Sequence, residues 1–364
     1  MKQITLYDVA QHAGVSYQTV SRVVNQASHV SAHTREKVEA AMAELNYIPN
    51  RIAQQLAGKQ RPLIGVATTH LGLHAPSQIV AAIKSRADQC GASVVIAMIE
   101  KSGVDACKTA IINLLAQRVT GLIINFPLEE QAAKEVASSC GNVPVLFLDV
   151  SMDSAVPSVI FSPQQGTLLG VSHLLAWGHR RIALLNGPQE SVSARLRRDG
   201  WYHALAEQGL QPVAEITGDW SALSGYQQTR QLLEDQGILP QALLIANDQM
   251  ALGALRAISE AGLRVPDDIS LIGYDDTEDS CCYIPPLTTI KQDFRQLGEA
   301  SVDRLLALDS EQHTPLCQQL PVSLVPRQTV GRPACGEPSP RSLAISLQQL
   351  AQQVARLSTP PTDN

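Results

Sequence analysis

The sequence predicts an α/β protein with an all-α head, a short connecting helix, two doubly wound parallel-sheet lobes and a C-terminal coiled-coil helix. Three observations predict it. From residue 62 onward, short apolar β-rich runs alternate with helical stretches, as parallel strands covered by helices on both faces require. Ahead of them, two short helical periodicities meet across Gly14-Val15-Ser16. At the far end Leu343, Leu347, Leu350, Val354 and Leu357 repeat at heptad a/d spacing.

Bulk properties bound this reading. At 364 residues the chain exceeds one ordinary domain, and 45% hydrophobic content supplies sizeable cores. It has no run of about 18 apolar residues, so no membrane span is expected. The first residues lack the apolar stretch of a secretory leader, and a cytoplasmic protein is expected. The seven cysteines form no CxxC pair and no Cys/His ligand spacing. They are expected to be mostly small buried thiols, with no metal site and no cofactor. The net charge of −6 is uneven: residues 1–62 carry +3 and the remainder −9. A basic head on an acidic body points to a polyanion partner for the head alone.

In the head, Thr5 and Asp8 form a capping pair, and Leu6, Val9, Ala10 and Ala13 share one helical face. Gly14 ends that helix and Ser16 caps the next, whose stripe is Val20, Val23 and Val24. Val15 is placed to pack between them, and the connection is short enough for a helix-turn-helix. A third helix follows Ser31, with Val38, Met42 and Leu45 closing a small core.

The outward face of the second helix carries Tyr17, Gln18, Ser21, Arg22 and Asn25. An amide suits adenine, a guanidinium suits guanine, and a ring suits the thymine methyl. With His29, these are the candidate DNA base contacts. Candidate backbone contacts, which set register without reading sequence, are Thr5, Leu6, Ser16, Thr19, Ser31, Thr34, Tyr47, Asn50 and Gln54.

The stretches LYDVAQHAGVSYQTVSRVVN and NYIPNRIAQQLAG resemble the head of the LacI/GalR family of bacterial repressors, and the resemblance extends along the chain. It implies a repressor of double-stranded operator DNA, a periplasmic-binding-protein-like body and a small sugar inducer of the β-galactoside type. A different sugar, or a corepressor, is the alternative within the family.

The remaining segments fall in order. Residues 1–49 form the head and 50–61 the hinge. Pro49 leaves Asn50 free to start a helix that ends at Gly58, too short to be stable alone. The resemblance implies that two such helices pair in the minor groove, with Leu56, flanked by Ala53 and Ala57, as the apolar wedge. Residues 62–330 form the two-lobed, dimerising body.

Strands are expected at 63–67, 94–98, 122–125, 145–149, 182–185, 243–246 and 270–274, and the runs 288–290 and 320–325 are expected to cross between lobes. Several strands end in polar residues, where open parallel sheets bind ligands: Asn125, Asp149, Asn247 and Asp275. Arg197 offers a fork of donors for vicinal hydroxyls, and Trp220 and Phe294 offer flat apolar faces. Matched to the family, Asp149, Arg197, Asn247 and Asp275, with Asn125 and Ser193, become the polar part of the effector pocket. Leu73, Ala75, Pro76, Ile79, Trp220, Phe294 and Leu297 become its apolar wall.

Residues 331–341 read as a tether and 342–358 as a tetramerisation helix, which the resemblance implies joins two dimers. The acid run 275–279 matches no ion loop, because the glycine such a loop needs is absent. Nucleotide-loop, serine-elbow and metalloprotease motifs are missing, so no enzyme is expected.

Overall fold

The computed structural model describes residues 4–25, 29–48, 61–100, 103–235, 239–308, 315–333 and Leu347. The chain divides into two compact units, Met1–Pro62 and Leu63–Asn364. The hinge candidates Asn50, Ala53, Gln54, Leu56 and Ala57 lie outside the described residues, as do Leu343, Leu350, Val354 and Leu357 of the tail. Leu347 is exposed.

In the first unit α1 (Leu6–Ala13) starts at a capping box: Asp8 N–H donates to the Thr5 hydroxyl, and Thr5 N–H donates to the Asp8 carboxylate. Gly14 closes it at φ 60°, a left-handed conformation that a β-carbon would strain. Ser16 and Ser31 cap α2 (Tyr17–Val24) and α3 (Ala32–Glu44) by accepting from Thr19 and Thr34 N–H. Val9, Val20 and Val38 are fully buried where the three helices meet. Met42 and Leu45, expected to close this core, are half-buried and pack against it beside the buried Ala41.

The second unit holds two six-stranded sheets. The first has the order β11-β5-β4-β3-β1-β2, from β1 (Leu63–Thr68), β2 (Ser93–Met98), β3 (Gly121–Asn125), β4 (Val145–Phe147), β5 (Ser158–Phe161) and β11 (Cys317–Leu320). The second has the order β12-β10-β9-β8-β6-β7, from β6 (Ile182–Asn186), β7 (Ala214–Thr217), β8 (Ala242–Ile245), β9 (Ser270–Asp275), β10 (Thr289–Lys291) and β12 (Ser323–Val325). Their pairings are parallel except β10 with β12.

Strand β3 shows why the runs are apolar throughout. Leu122 and Ile124 enter one core with Ile111 and Leu114 of α5 (Val104–Ala116). Ile123 enters the opposite core with Ile83 of α4 (His74–Gln89) and Leu305 of α11 (Phe294–Ala307). Successive side chains face opposite ways and both faces are covered, so every position must be apolar. The helix α6 (Glu130–Ser139) completes the first face with Ala133 and Val136.

Among the described residues the chain passes between lobes three times. After β5, α7 (Pro163–Ala176) packs on the second sheet; after β10, α11 packs on the first; and β11 and β12 lie in different sheets. The expected crossing at 320–325 is seen: β11 ends at Leu320 in the first sheet, and after Pro321-Val322 β12 begins at Ser323 in the second. Two expectations are corrected here. Residues 288–290 stay within the second sheet beside β9. Strand β4 stops at Phe147, leaving Asp149 in the following loop. Strands β5 and β7 were not expected from sequence; β7 alternates partly buried and exposed residues at a sheet edge and carries no continuous apolar run.

The cysteine expectation also needs correction. Of the six described, Cys107 and Cys140 are buried, while Cys90, Cys281 and Cys282 are exposed and Cys317 is half-buried. Among the described residues no helix is long and apolar enough to cross a membrane.

Candidate functional site

On α2 the expected reading face is open. Tyr17, Gln18 and Arg22 are exposed, Ser21 and Asn25 half-buried, and His29 beyond the helix exposed. Asn25 Nδ2 donates to Ser21 Oγ at 3.3 Å, one turn back. The capping hydroxyls cluster with expected backbone-contact residues: Ser16 Oγ lies 2.9 Å from Thr19 Oγ1, and Ser31 Oγ lies 2.8 Å from Thr34 Oγ1. Thr5 is exposed, and Leu6 and Tyr47 are half-buried. Sequence reasoning missed Tyr7. Its ring is 70% exposed and stacks on Tyr17, with centroids 4.5 Å apart and planes 24° apart. The Tyr7–Tyr17 spacing of ten residues spans a turn, so helical periodicity gives no signal for it.

In the second unit a cavity of about 770 Å³ lies between the two sheets, and every effector-site candidate lines it. That volume suits a small polar molecule. Arg197 comes from α8 (Val192–Ala206), whose N-terminus Ser191 caps. Its guanidinium sits 3.9 Å from the Tyr274 ring centroid and 5.6 Å from that of Trp220. It donates to Gln292 Oε1 at 2.9 Å and to the Ala246 carbonyl, and lies 3.6 Å from Asp275 Oδ1. Tyr274 and Gln292 were also missed. Gln292 follows the last residue of β10, so the strand-end rule applied to that strand would have found it.

Asp275 is the last residue of β9, at φ 117°, and Asp276 follows at φ 57°. Two consecutive non-glycine residues with positive φ are strained and need holding. Arg327 donates to Asp276 Oδ1 at 2.6 Å, to Ser280 Oγ and to the Leu287 carbonyl. Behind them Asp248, the first residue of α10 (Asp248–Glu260), which packs against α9 (Ala222–Asp235), accepts from Thr277 N–H at 2.9 Å and from the Thr289 hydroxyl at 2.6 Å. The Asp275 Oδ1 atom is buried with no hydrogen-bond partner among the described residues. Burial pushes the Asp275 carboxyl up to about 7, against the opposing pull of Arg197. Burial and the neighbouring Asp275 push Asp248 up to about 8.

Asn247 has two structural tasks: it accepts from Met250 N–H as the cap of α10, and its Nδ2 donates to the Trp220 carbonyl at 3.0 Å. Trp220 itself has φ 76°, and its indole lies where a β-carbon on Gly187 would sit within 2.4 Å of it. Asp149 accepts from Ser193 N–H at 3.1 Å, a bond that joins the first lobe to the second. Burial raises the Asp149 pKa, against the pull of Ser193 and Arg197. A second bridge runs from His74 N–H to Gln249 Oε1 at 3.0 Å, and a third joins Arg195 to Glu129. The apolar wall includes Phe294, edge-on to Phe161 at 5.9 Å, and the buried Ile79 and Leu297. Asn125 donates to Thr68 Oγ1 at 3.2 Å; Leu73, Ala75 and Pro76 are half-buried along the α4 side. Among the described residues no group of three or more His, Cys, Asp or Glu could hold a metal ion.

Comparison with known proteins places both units. Residues 5–50 match the family described as bacterial regulatory proteins, lacI family, and residues 171–330 match a periplasmic binding protein-like domain. The chain is 68% identical over 359 residues to the lactose operon repressor of Escherichia coli (strain K12), covering 99% of each. A crystal structure of the lac repressor dimer bound to operator and the anti-inducer ONPF superposes with TM-score 0.86 at 70% identity, covering 91% of this chain and 100% of that one. A dimeric lac repressor with an 11-residue C-terminal deletion superposes with TM-score 0.73 at 66% identity, covering 74% of this chain and 99% of that one.

Proposed function

The chain belongs to the lacI family of bacterial regulatory proteins, and we propose that it is a lactose-operon-type repressor released from a pseudo-palindromic operator by a β-galactoside. The observation that carries this reading is the buried Arg197–Asp275 pair, walled by Trp220 and Phe294, in a chain that also displays Tyr17, Gln18 and Arg22 on a short capped helix.

In the head, α2 enters the major groove and its outward side chains meet base edges, while the capping hydroxyls of Thr5, Ser16 and Ser31 face phosphates. The hinge helix 50–58 pairs with that of a second copy, and Leu56 opens a base step in the minor groove. In the body, the sugar hydroxyls meet Asp149, Arg197, Asn247 and Asp275, and the pyranose face lies against Trp220 and Phe294. Ligand contacts made from both lobes change the balance of the bridges Asp149–Ser193 and His74–Gln249. Operator affinity then falls because the effector binds better to the arrangement that disfavours the paired hinges. The working form is a homo-oligomer, a dimer of dimers joined by residues 342–358, in the cytoplasm.

The reading is tested by titrating an inverted-repeat operator duplex with the full chain, with and without a non-hydrolysable β-thiogalactoside. It predicts weaker operator binding with the galactoside. Release by another sugar alone would make that sugar the effector, and tightening by a small molecule would make the chain a corepressor-dependent repressor.

A further inference from the structure

The two thiols at Cys281 and Cys282 take no part in the repressor reading, and their geometry is specific. They end the short 3-10 helix Glu278–Cys282, both are exposed, and their sulfurs converge to 3.7 Å. Adjacent side chains on an extended strand would point to opposite faces; here both thiols reach the same space. Cys281 also donates to the Glu278 carbonyl at 3.2 Å, which holds its side chain in place.

Two kinds of chemistry could join these sulfurs. A direct disulfide needs them about 2.05 Å apart, with α-carbons usually about 4.4–6.8 Å apart. Consecutive α-carbons are only about 3.8 Å apart, so such a ring is strained and readily reduced. A single bridging atom fits better: two sulfurs each about 2.3 Å from a pyramidal three-coordinate centre, with an angle between them at or slightly above a right angle, lie about 3.3–3.5 Å apart, a few tenths of an ångström inside the observed 3.7 Å. An ion that demands four protein ligands is not served, since the described residues hold no group of three or more candidate ligands. What the two converging thiols can serve is a centre that needs only two sulfur ligands from the protein.

We propose that Cys281 and Cys282 form a vicinal dithiol site for thiophilic trivalent metalloids, arsenic(III) above all. With a monosubstituted arsenic(III) oxide, both thiols give their protons to the oxide oxygen, which leaves as water. Two arsenic–sulfur bonds replace the arsenic–oxygen bond, and arsenic stays trivalent, so no oxidant or reductant enters. The neighbouring Cys281 thiol, and after it the carboxylates of Asp279 and Glu278, raise the Cys282 pKa.

The test uses full-length protein treated with equimolar phenylarsine oxide, read by intact mass and peptide mapping. One phenylarsenic bridge per chain is expected on the peptide holding Cys281 and Cys282, stable to a monothiol and removed by a small vicinal dithiol. Cys281→Ser and Cys282→Ser should each lose the bridge while still binding operator, which reports that they fold; Cys90→Ser should keep it. A bridge that persists in either single variant, a bridge on other cysteines, or no bridge on the folded protein would overturn the assignment.

Discussion

The guanidinium of Arg197 lies 3.6 Å from the Asp275 carboxylate, both side chains less than a tenth exposed, and the near carboxylate oxygen has no hydrogen-bond partner among the described residues. An incompletely satisfied buried pair at a cavity wall is ready to take hydroxyl donors from a ligand. Asp275→Asn keeps the size and removes the charge. A hydrogen bond to a charged group is worth about 1.5–3 kcal/mol, so effector affinity should fall roughly ten- to a hundredfold. Operator affinity in the absence of effector should not change. Effector binding within about twofold of the parent, measured by calorimetry, would remove Asp275 from the site.

Asp248 should make the stability of the body depend on pH. Its native pKa of about 8 stands above the usual carboxyl value of about 3.9. Between those values the folded chain keeps a proton that the unfolded chain has released. Its contribution is complete below about pH 4 and is lost as pH rises towards 8. Asp248→Asn preserves an acceptor for Thr277 N–H and removes the titration. The melting temperature of the variant relative to the parent should therefore rise from pH 5 to pH 8; a constant difference would contradict the account.

Tyr7 should matter to DNA binding through its stack on Tyr17. Such pairs contribute about 0.5–1.5 kcal/mol beyond buried area. Tyr7→Ala should weaken operator binding up to about tenfold, and Tyr7→Phe, which keeps the stack, should stay near the parent. Equal losses in both variants would assign the effect to the hydroxyl instead.

The segments at either end of the body should separate two properties. Deletion from Ser339 onward should leave a dimer that still binds one operator, read by sedimentation and gel shift. Leu56→Ser should weaken specific operator binding far more than binding to random duplex. A truncated chain that stays tetrameric, or a Leu56→Ser chain that loses both kinds of binding equally, would refute these roles.

Much of this organisation was legible in the sequence for a definite reason. The caps Thr5, Ser16 and Ser31 and the stop at Gly14 act within four residues, so local pattern is enough to place α1, α2 and α3. Buried parallel strands such as Leu122–Ile124 are apolar on both faces and announce themselves. What stayed hidden depends on contacts distant in sequence. Residues 288–290 stay in the second sheet because β10 pairs with Gly273–Asp275 of β9. Gln292 and Tyr274 join the site because they touch Arg197, nearly a hundred residues earlier in the case of Gln292. The positive φ at Asp275 and Asp276 carries no composition signal, since neither is glycine. Tyr7 meets Tyr17 only after the turn at Gly14 folds two helices together.

The central claim is that the cleft and α2 are two ends of one equilibrium. Linkage requires that operator weaken effector binding by the same factor with which effector weakens operator binding. The direct measurement is the effector dissociation constant of the full chain, free and saturated with operator. The account predicts weaker effector binding to the operator-bound chain, by at least about fivefold, a typical lower bound for allosteric coupling. Identical effector affinity in the two states would contradict it.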